Sequence, residues 1–133
     1  MAKSVLIVDD IPFVRQTLVQ ILSKAHYQVV GEAADGLEAV QQYAKLRPDI
    51  VTMDIVMPQM SGIDATRQIM KLDKNAKIVI VSAMGQENLL MEAINVGAKD
   101  FVLKPFNAAD IVRTLDRALD DSDIFNGRGG SRG

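Results

Sequence analysis

The chain is predicted to fold as a doubly wound α/β domain, and three observations carry that reading. Short apolar runs alternate five times with segments whose apolar residues recur at helical spacing, the pattern of βαβ units around a parallel sheet with helices on both faces. The runs are near-continuous in Val, Ile and Leu, as in Val5-Leu-Ile-Val8 and Ile78-Val-Ile-Val81, which suits strands buried on both sides. The length of 133 residues is that of one domain able to bury a core without disulfides or metals as staples.

Strand one is placed at about Ser4 to Val8 and ends in Asp9-Asp10. Pro12 suits the first turn of a helix, where a missing N–H costs nothing. Val14, Leu18, Ile21, Leu22 and Ala25 then recur at 3.6 spacing opposite Arg15, Gln16, Gln20 and Lys24, an inward stripe facing a solvated one. The helix stops near His26. Strand two covers about Gln28 to Ala33, and Asp35-Gly-Leu-Glu38 has the spacing of a capping box. The helix it opens is expected to carry Leu37, Val40 and Tyr43 on one side and to close at Pro48.

Strand three lies in Asp49-Ile-Val-Thr-Met53 and leads to Asp54, with Pro58 barring its continuation because it has no N–H to give a ladder. Met57-Pro-Gln-Met-Ser-Gly62 is a loop, Ser61 the expected N-cap of a third helix, and Ile69 and Met70 its inward residues. Asp73-Lys-Asn-Ala76 ends that helix. Strand four, Lys77 to Val81, stops at Ser82-Ala-Met-Gly85. Leu89, Leu90, Met91, Ala93, Ile94 and Val96 then form a helix too apolar for a single buried stripe, so part of its surface faces solvent or a partner. Strand five, Lys99 to Leu103, ends in Lys104-Pro105. Asn107 caps a last helix with Ile111, Leu115, Ala118 and Leu119 inward. The domain is assigned to residues 1–120, and residues 121–133, glycine-rich toward the end, are expected to form a disordered tail.

Composition narrows the function classes. A formal net charge of -2 gives no global reason to bind nucleic acid or an acidic membrane, and no apolar run approaches the length of a bilayer span. Without cysteine, thiolate metal sites are ruled out and a reducing, cytoplasmic compartment fits best. The N-terminus runs directly into a strand pattern without the apolar region of a signal peptide.

The polar residues at the strand ends carry the chemistry. Asp9 and Asp10 follow strand one, Asp54 follows strand three, Ser82 strand four and Lys104 strand five. In open α/β sheets the carboxyl ends of strands face the ligand crevice, and short right-handed crossovers bring these ends together. Three carboxylates and one ammonium leave two negative charges, which a divalent cation would neutralise. Oxygen donors without His or Cys point to Mg2+. A carboxylate beside it can act as a nucleophile toward phosphorus, Lys104 can neutralise phosphoryl oxygens as a point charge, and the Ser82 hydroxyl can donate to one of them.

The motifs Val8-Asp9-Asp10, Met53-Asp54-Ile-Val-Met-Pro58-Gln-Met-Ser-Gly62, Val81-Ser82-Ala83 and Gly97-Ala-Lys-Asp-Phe-Val-Leu-Lys104-Pro105-Phe106 together resemble the receiver domain of two-component response regulators over about residues 3 to 120. Among receivers the chain is most similar to the stand-alone regulators of chemotaxis. The resemblance implies a flavodoxin-like (βα)5 domain whose five-stranded parallel sheet has the order 2-1-3-4-5. It implies phosphorylation of Asp54 by a histidine kinase, and Mg2+ held by Asp10, Asp54 and the backbone carbonyl of Val56, with Asp9 adjacent in the metal set. Ser82 and Lys104 would contact the phosphoryl group, and a cis Lys104–Pro105 bond is implied as well. Phe101 stands where the family carries an aromatic switch residue, often Tyr. Plain core packing is the other reading of that phenylalanine. Implied partners are the kinase, a downstream target such as the flagellar motor switch protein, and a phosphatase.

Three functions follow from these residues. The first is a phosphorylation-controlled binding module in chemotaxis, or a receiver relaying phosphate elsewhere; the segment after residue 120 is too short for a helix-turn-helix. The second is an Mg2+-dependent phosphatase working through an aspartyl-phosphate, for which no general acid or substrate cap is visible. The third is constitutive binding, which the intact acidic pair, nucleophile, hydroxyl and lysine oppose. Val56 and Met84, two positions beyond the nucleophile and the hydroxyl, are both apolar and are expected to control the approach of hydrolytic water.

Overall fold

The computed structural model describes residues 2–128, with side-chain surroundings over residues 2–120. Its elements are β1 (Ser4–Val8), α1 (Pro12–Lys24), β2 (Gln28–Ala33), α2 (Gly36–Leu46), β3 (Ile50–Met53), α3 (Gly62–Leu72), β4 (Ile78–Ala83), α4 (Glu87–Asn95), β5 (Asp100–Lys104) and α5 (Ala108–Arg128). All strand pairs are parallel, in the order β2-β1-β3-β4-β5, so the expected doubly wound topology is present. No helix among the described residues is long and apolar enough to cross a membrane.

Alternation along the buried strands divides the core into two layers. Leu6, Val8, Val51, Met53, Ile78 and Ile80 pack against α2, α3 and α4 through Ala39, Tyr43, Ile63, Ile69, Leu90 and Ala93. Val5, Ile7, Ile50, Val79, Val81 and Val102 face α1 and α5, meeting Leu18, Leu22, Ile111, Leu115 and Ala118. Successive side chains point to opposite faces of a strand, so each central strand needs apolar residues throughout.

Local chemistry sets the helix ends. Asp35, Ser61 and Asn107 each accept a backbone N–H three residues on, from Glu38 at 2.8 Å, Asp64 at 3.1 Å and Asp110 at 2.8 Å. Glu38 completes its box by accepting from the N–H of Ala34 at 2.7 Å, one residue before the cap. His26 sits just past α1 at φ +71°, the helix-end position its place in the sequence suggested.

Several expectations shift. Leu37 is 46% exposed, whereas the inward face of α2 is built from Gly36, Ala39 and Tyr43 with Val40 beside them. The cause is the docking of Gly36 against the β3–α3 loop: its N–H donates to the carbonyl of Met60 at 3.0 Å, and this turns the adjacent Leu37 outward. Strand β4 reaches Ala83, so Ser82 is a strand residue and not the first of the loop. Strand β5 likewise includes Lys104. Helix α5 continues past the expected domain end at 120 as far as Arg128; residues 129–133 of the expected tail lie outside the described residues.

The core layers make a direct contrast testable. Leu115→Ala, at a fully buried site, is expected to cost about 2–5 kcal/mol, and Leu37→Ala to stay within about 0.5 kcal/mol of wild type. Urea midpoints with unchanged slopes check both; similar losses at the two sites would contradict the assigned inward face of α2.

Candidate functional site

Backbone register delivers the acidic residues to one place. Val8 pairs with Met53, and one step beyond, the N–H of Asp54 donates to the carbonyl of Val8 at 3.0 Å while that of Asp9 donates to the carbonyl of Ala33 at 3.1 Å. The adjacent strands β1 and β3 therefore release their carboxylates side by side. Carboxylate oxygens of Asp9, Asp10 and Asp54 all lie within 4.8 Å of one another.

Lys104 reaches this cluster from the edge strand. Its Nζ donates to Asp9 Oδ2 at 2.9 Å and stands 3.6 Å from Asp54 Oδ2, the side chain passing over the end of β4, a neighbour at roughly 4.8 Å strand spacing. The Lys104–Pro105 peptide directly after it is cis. Asp9 is wholly buried and doubly held, its Oδ1 accepting the N–H of Ile11 at 2.9 Å. Asp54 is 6% exposed and accepts the N–H of Ile55 on Oδ1 at 2.8 Å.

Burial, and after it the Asp9 carboxylate, push the Asp54 carboxyl up to about 6, Lys104 and the Ile55 N–H pulling the other way and Asp10 adding to the rise. The ionised form is thus short of positive charge. Three close oxygen donors with a single ammonium between them fit a hard divalent cation such as Mg2+, which asks for oxygen ligands and supplies that charge.

Gly62 fixes Asp54 from behind. Its N–H donates to the carbonyl of Ile55 at 2.7 Å, and a Cβ added there would lie 1.8 Å from the carbonyl oxygen of Asp54. No side chain fits, so the first turn of α3 seats directly on the backbone of Asp54.

The remaining predicted residues take separate positions. Ser82, fully buried, donates its hydroxyl to Gln86 Oε1 at 2.7 Å, with the carbonyl of Ala83 at 3.3 Å. Val56 and Met84 are 55% and 69% exposed, open to solvent on the β3–α3 and β4–α4 loops. Phe101 is 41% exposed on edge strand β5, which corrects the core-packing alternative: β5 has one buried residue in its middle, Val102, and its neighbours point outward.

Two residues make contacts that sequence patterns do not reveal. Arg15, assigned to a solvated face, instead donates from Nη1 to the carbonyl of Asp9 at 2.6 Å and from Nε to Glu32 Oε1 at 3.2 Å. Its side chain is only 18% exposed, and it ties the loop of Asp9 to β2. The signal available was weak, a basic residue early in a helix that directly follows an acidic pair. Gln86 was missed because a glutamine four residues after a serine has no distinctive pattern.

The chain matches the response regulator receiver domain over residues 5–116, and it belongs to that family. It is 56% identical to the chemotaxis protein CheY of Thermotoga maritima over 117 residues, 88% of this chain and 98% of that one. It is 45% identical to the CheY of Bacillus subtilis over 119 residues, 90% and 99% of the two chains. Among solved structures it is similar to a crystal structure of a CheX–CheY–BeF3–Mg2+ complex from Borrelia burgdorferi, with a TM-score of 0.81, 41% identity and coverage of 85% and 86%. A CheY-like receiver from Methanospirillum hungatei superposes with a TM-score of 0.86 at 26% identity over 93% and 98%. The chain is a CheY-like response regulator, and receivers of this kind are signalling proteins that bind Mg2+ at an acidic cluster of the sort formed by Asp9, Asp10 and Asp54.

The raised Asp54 carboxyl has a consequence for stability. The folded state holds this proton more tightly than the unfolded chain, so its contribution is present below about pH 4, falls through the window from about 4 to 6, and is absent above it. In metal-free buffer Asp54→Asn is therefore expected to be more stable than wild type by on the order of 1–3 kcal/mol near pH 7.5, with the gap narrowing to about a third of that near pH 4.5. Urea unfolding at the two pH values measures this, and an equal gap at both would refute it.

Proposed function

We propose that the chain is a phosphorylation-controlled switch in a two-component pathway of chemotaxis, with Asp54 as phosphoacceptor. The observation that carries this reading is the buried Asp54 carboxylate with Lys104 Nζ 3.6 Å away and bonded to Asp9 at 2.9 Å. In the proposed transfer an Asp54 oxygen forms a bond to the phosphorus of a phosphohistidine as the P–N bond breaks. The electron pair leaves on the imidazole nitrogen, which takes up a proton. Lys104 then moves its charge onto a phosphoryl oxygen, and Ser82 donates its hydroxyl to another.

Magnesium fits the donor set, with Asp10, Asp54 and the carbonyl of Val56 as ligands and Asp9 adjacent, and when bound it would neutralise the charge gathered on the phosphoryl oxygens. The chain would catalyse its own phosphorylation and dephosphorylation while working as a binding module. Its proposed location is the cytoplasm, and its proposed partners are a histidine kinase, a target such as the flagellar motor switch protein, and a phosphatase. The Borrelia protein named in complex with CheX, a fluoroberyllate and Mg2+ supports the proposed phosphoryl and Mg2+ chemistry. Phe101, exposed beside Leu103 on β5, is the proposed aromatic switch residue.

Incubation with acetyl phosphate and Mg2+ is expected to label wild type stoichiometrically, and Asp54→Asn or wild type in excess chelator not at all above background, as read by intact-mass spectrometry. Stoichiometric label on the asparagine variant would sink the assignment. The lifetime of the label tests the role proposed for Val56 and Met84, apolar side chains that cannot orient water. Val56→Asn with Met84→Glu is expected to shorten it by roughly tenfold, about the worth of one well-placed hydrogen bond. An unchanged or longer lifetime would mean that these residues do not govern water access.

A further inference from the structure

Ser82 carries one hydroxyl proton, and in this structure that proton is committed. It is donated to Gln86 Oε1 at 2.7 Å, with the carbonyl of Ala83 as a longer second acceptor at 3.3 Å. A hydroxyl has a single proton to give, so Ser82 cannot donate to Gln86 and to a phosphoryl oxygen on Asp54 together. We propose that Gln86 is a positioning residue that latches the Ser82 hydroxyl in the unmodified protein and so sets the cost of handing that hydroxyl to a phosphoryl group. The proposal rests on the phosphoacceptor reading of Asp54.

The surroundings of Gln86 suit this role. It is the N-cap residue of α4, yet its side chain makes no capping bond; the side chain that could satisfy the orphan N–H groups of the first turn is turned back toward Ser82 instead. Its backbone carbonyl meanwhile accepts the N–H of Leu90 at 2.9 Å, so the same residue holds both the serine and the start of the helix. Between them, Ala83 ends β4 in register with Lys104, and Met84 and Gly85 form an exposed loop. Gly85 has φ +91° and open space where a Cβ would stand, so little packing resists a shift of this loop. Immediately beyond lie Leu89 and Met91, exposed apolar residues of α4.

Exchange of acceptor has a favoured direction. A phosphoryl oxygen is charged, and a charge-assisted hydrogen bond is roughly twice as strong as a neutral one. Ser82 therefore moves to the phosphoryl group when it is present, and the cost of breaking the Gln86 bond lowers the apparent affinity for it. Removing the latch should raise that affinity by roughly threefold to tenfold, the effect of one neutral hydrogen bond.

The test uses fluoroberyllate with Mg2+ as the phosphoryl mimic, titrated by calorimetry into wild type, Gln86→Met and Gln86→Asn. Methionine keeps the length with only a weak thioether acceptor, and asparagine keeps the amide but is one methylene short of Ser82. Both are expected to bind severalfold more tightly than wild type, and both gains should disappear when Ser82→Ala is introduced alongside. A readout independent of the mimic is the Gln86 side-chain amide in the NMR spectrum of the unmodified protein, which should shift with Ser82→Ala. Gains that persist without the serine hydroxyl, or variants that bind as wild type does, overturn the latch alone. Failure of wild type to bind fluoroberyllate at all overturns the phosphoacceptor reading and the latch with it.

Discussion

The ammonium of Lys104, 2.9 Å from Asp9 and 3.6 Å from Asp54, faces three carboxylates at the edge of a sheet whose interior is otherwise apolar. One cation against three anions is an unbalanced cluster, and water is kept from the two most buried of them. Such an arrangement is tolerable in a fold only where something supplies the missing charge or removes one negative charge. The rise of the Asp54 carboxyl is the response open to the protein alone, and a divalent ion is the other. A site held in this condition is poised toward phosphoryl chemistry, because the incoming group brings oxygens that need the cations the site collects.

Everything around the cluster restricts how it can relax. Gly62 lays the first turn of α3 on the backbone of Asp54, and Gly36 meets Met60 at the far end of the same loop, so Asp54 cannot back away from Asp9. Arg15 holds the carbonyl of Asp9 and bridges to Glu32 on β2. The loops on the β1 and β3 side are therefore fixed. The β4–α4 loop is different: Met84 and Gly85 are exposed, and the loop follows directly on Ser82 and Ala83, the last residues of β4. A fixed charge centre beside one yielding loop is an arrangement in which a local electrostatic change has a single direction in which to be expressed.

Much of this was legible from the residues. Continuous apolar runs ending in polar residues placed the strands and ranked Asp9, Asp10, Asp54, Ser82 and Lys104 at one sheet edge, because a buried parallel strand leaves few other positions for a charge. Asp35, Ser61 and Asn107 were legible as caps because their bonds are made within three residues. Features that depend on a second element are not legible in this way. Leu37 was placed inward by periodicity, but the face of α2 is chosen by the approach of the β3–α3 loop. Phe101 was open between core and surface because an edge strand and a central one look alike in sequence. Arg15 was read as solvated because its partners are six and seventeen residues away.

The sequence by itself determined the element order, the sheet class, the acidic and basic residues of the site and the family to which the chain belongs, since each of these rests on spacing along the chain or on residue type. Tertiary structure alone decided that Lys104 bonds to Asp9 and stands near Asp54, that Ser82 turns to Gln86, and that Val56, Met84 and Phe101 face outward. The physical reason is one of range. Periodicity, capping and turn chemistry act within about one helical turn, whereas hydrogen-bond partners, burial and the charge felt by a carboxyl group are set by residues up to 95 positions apart, brought together only when the two core layers close on the sheet.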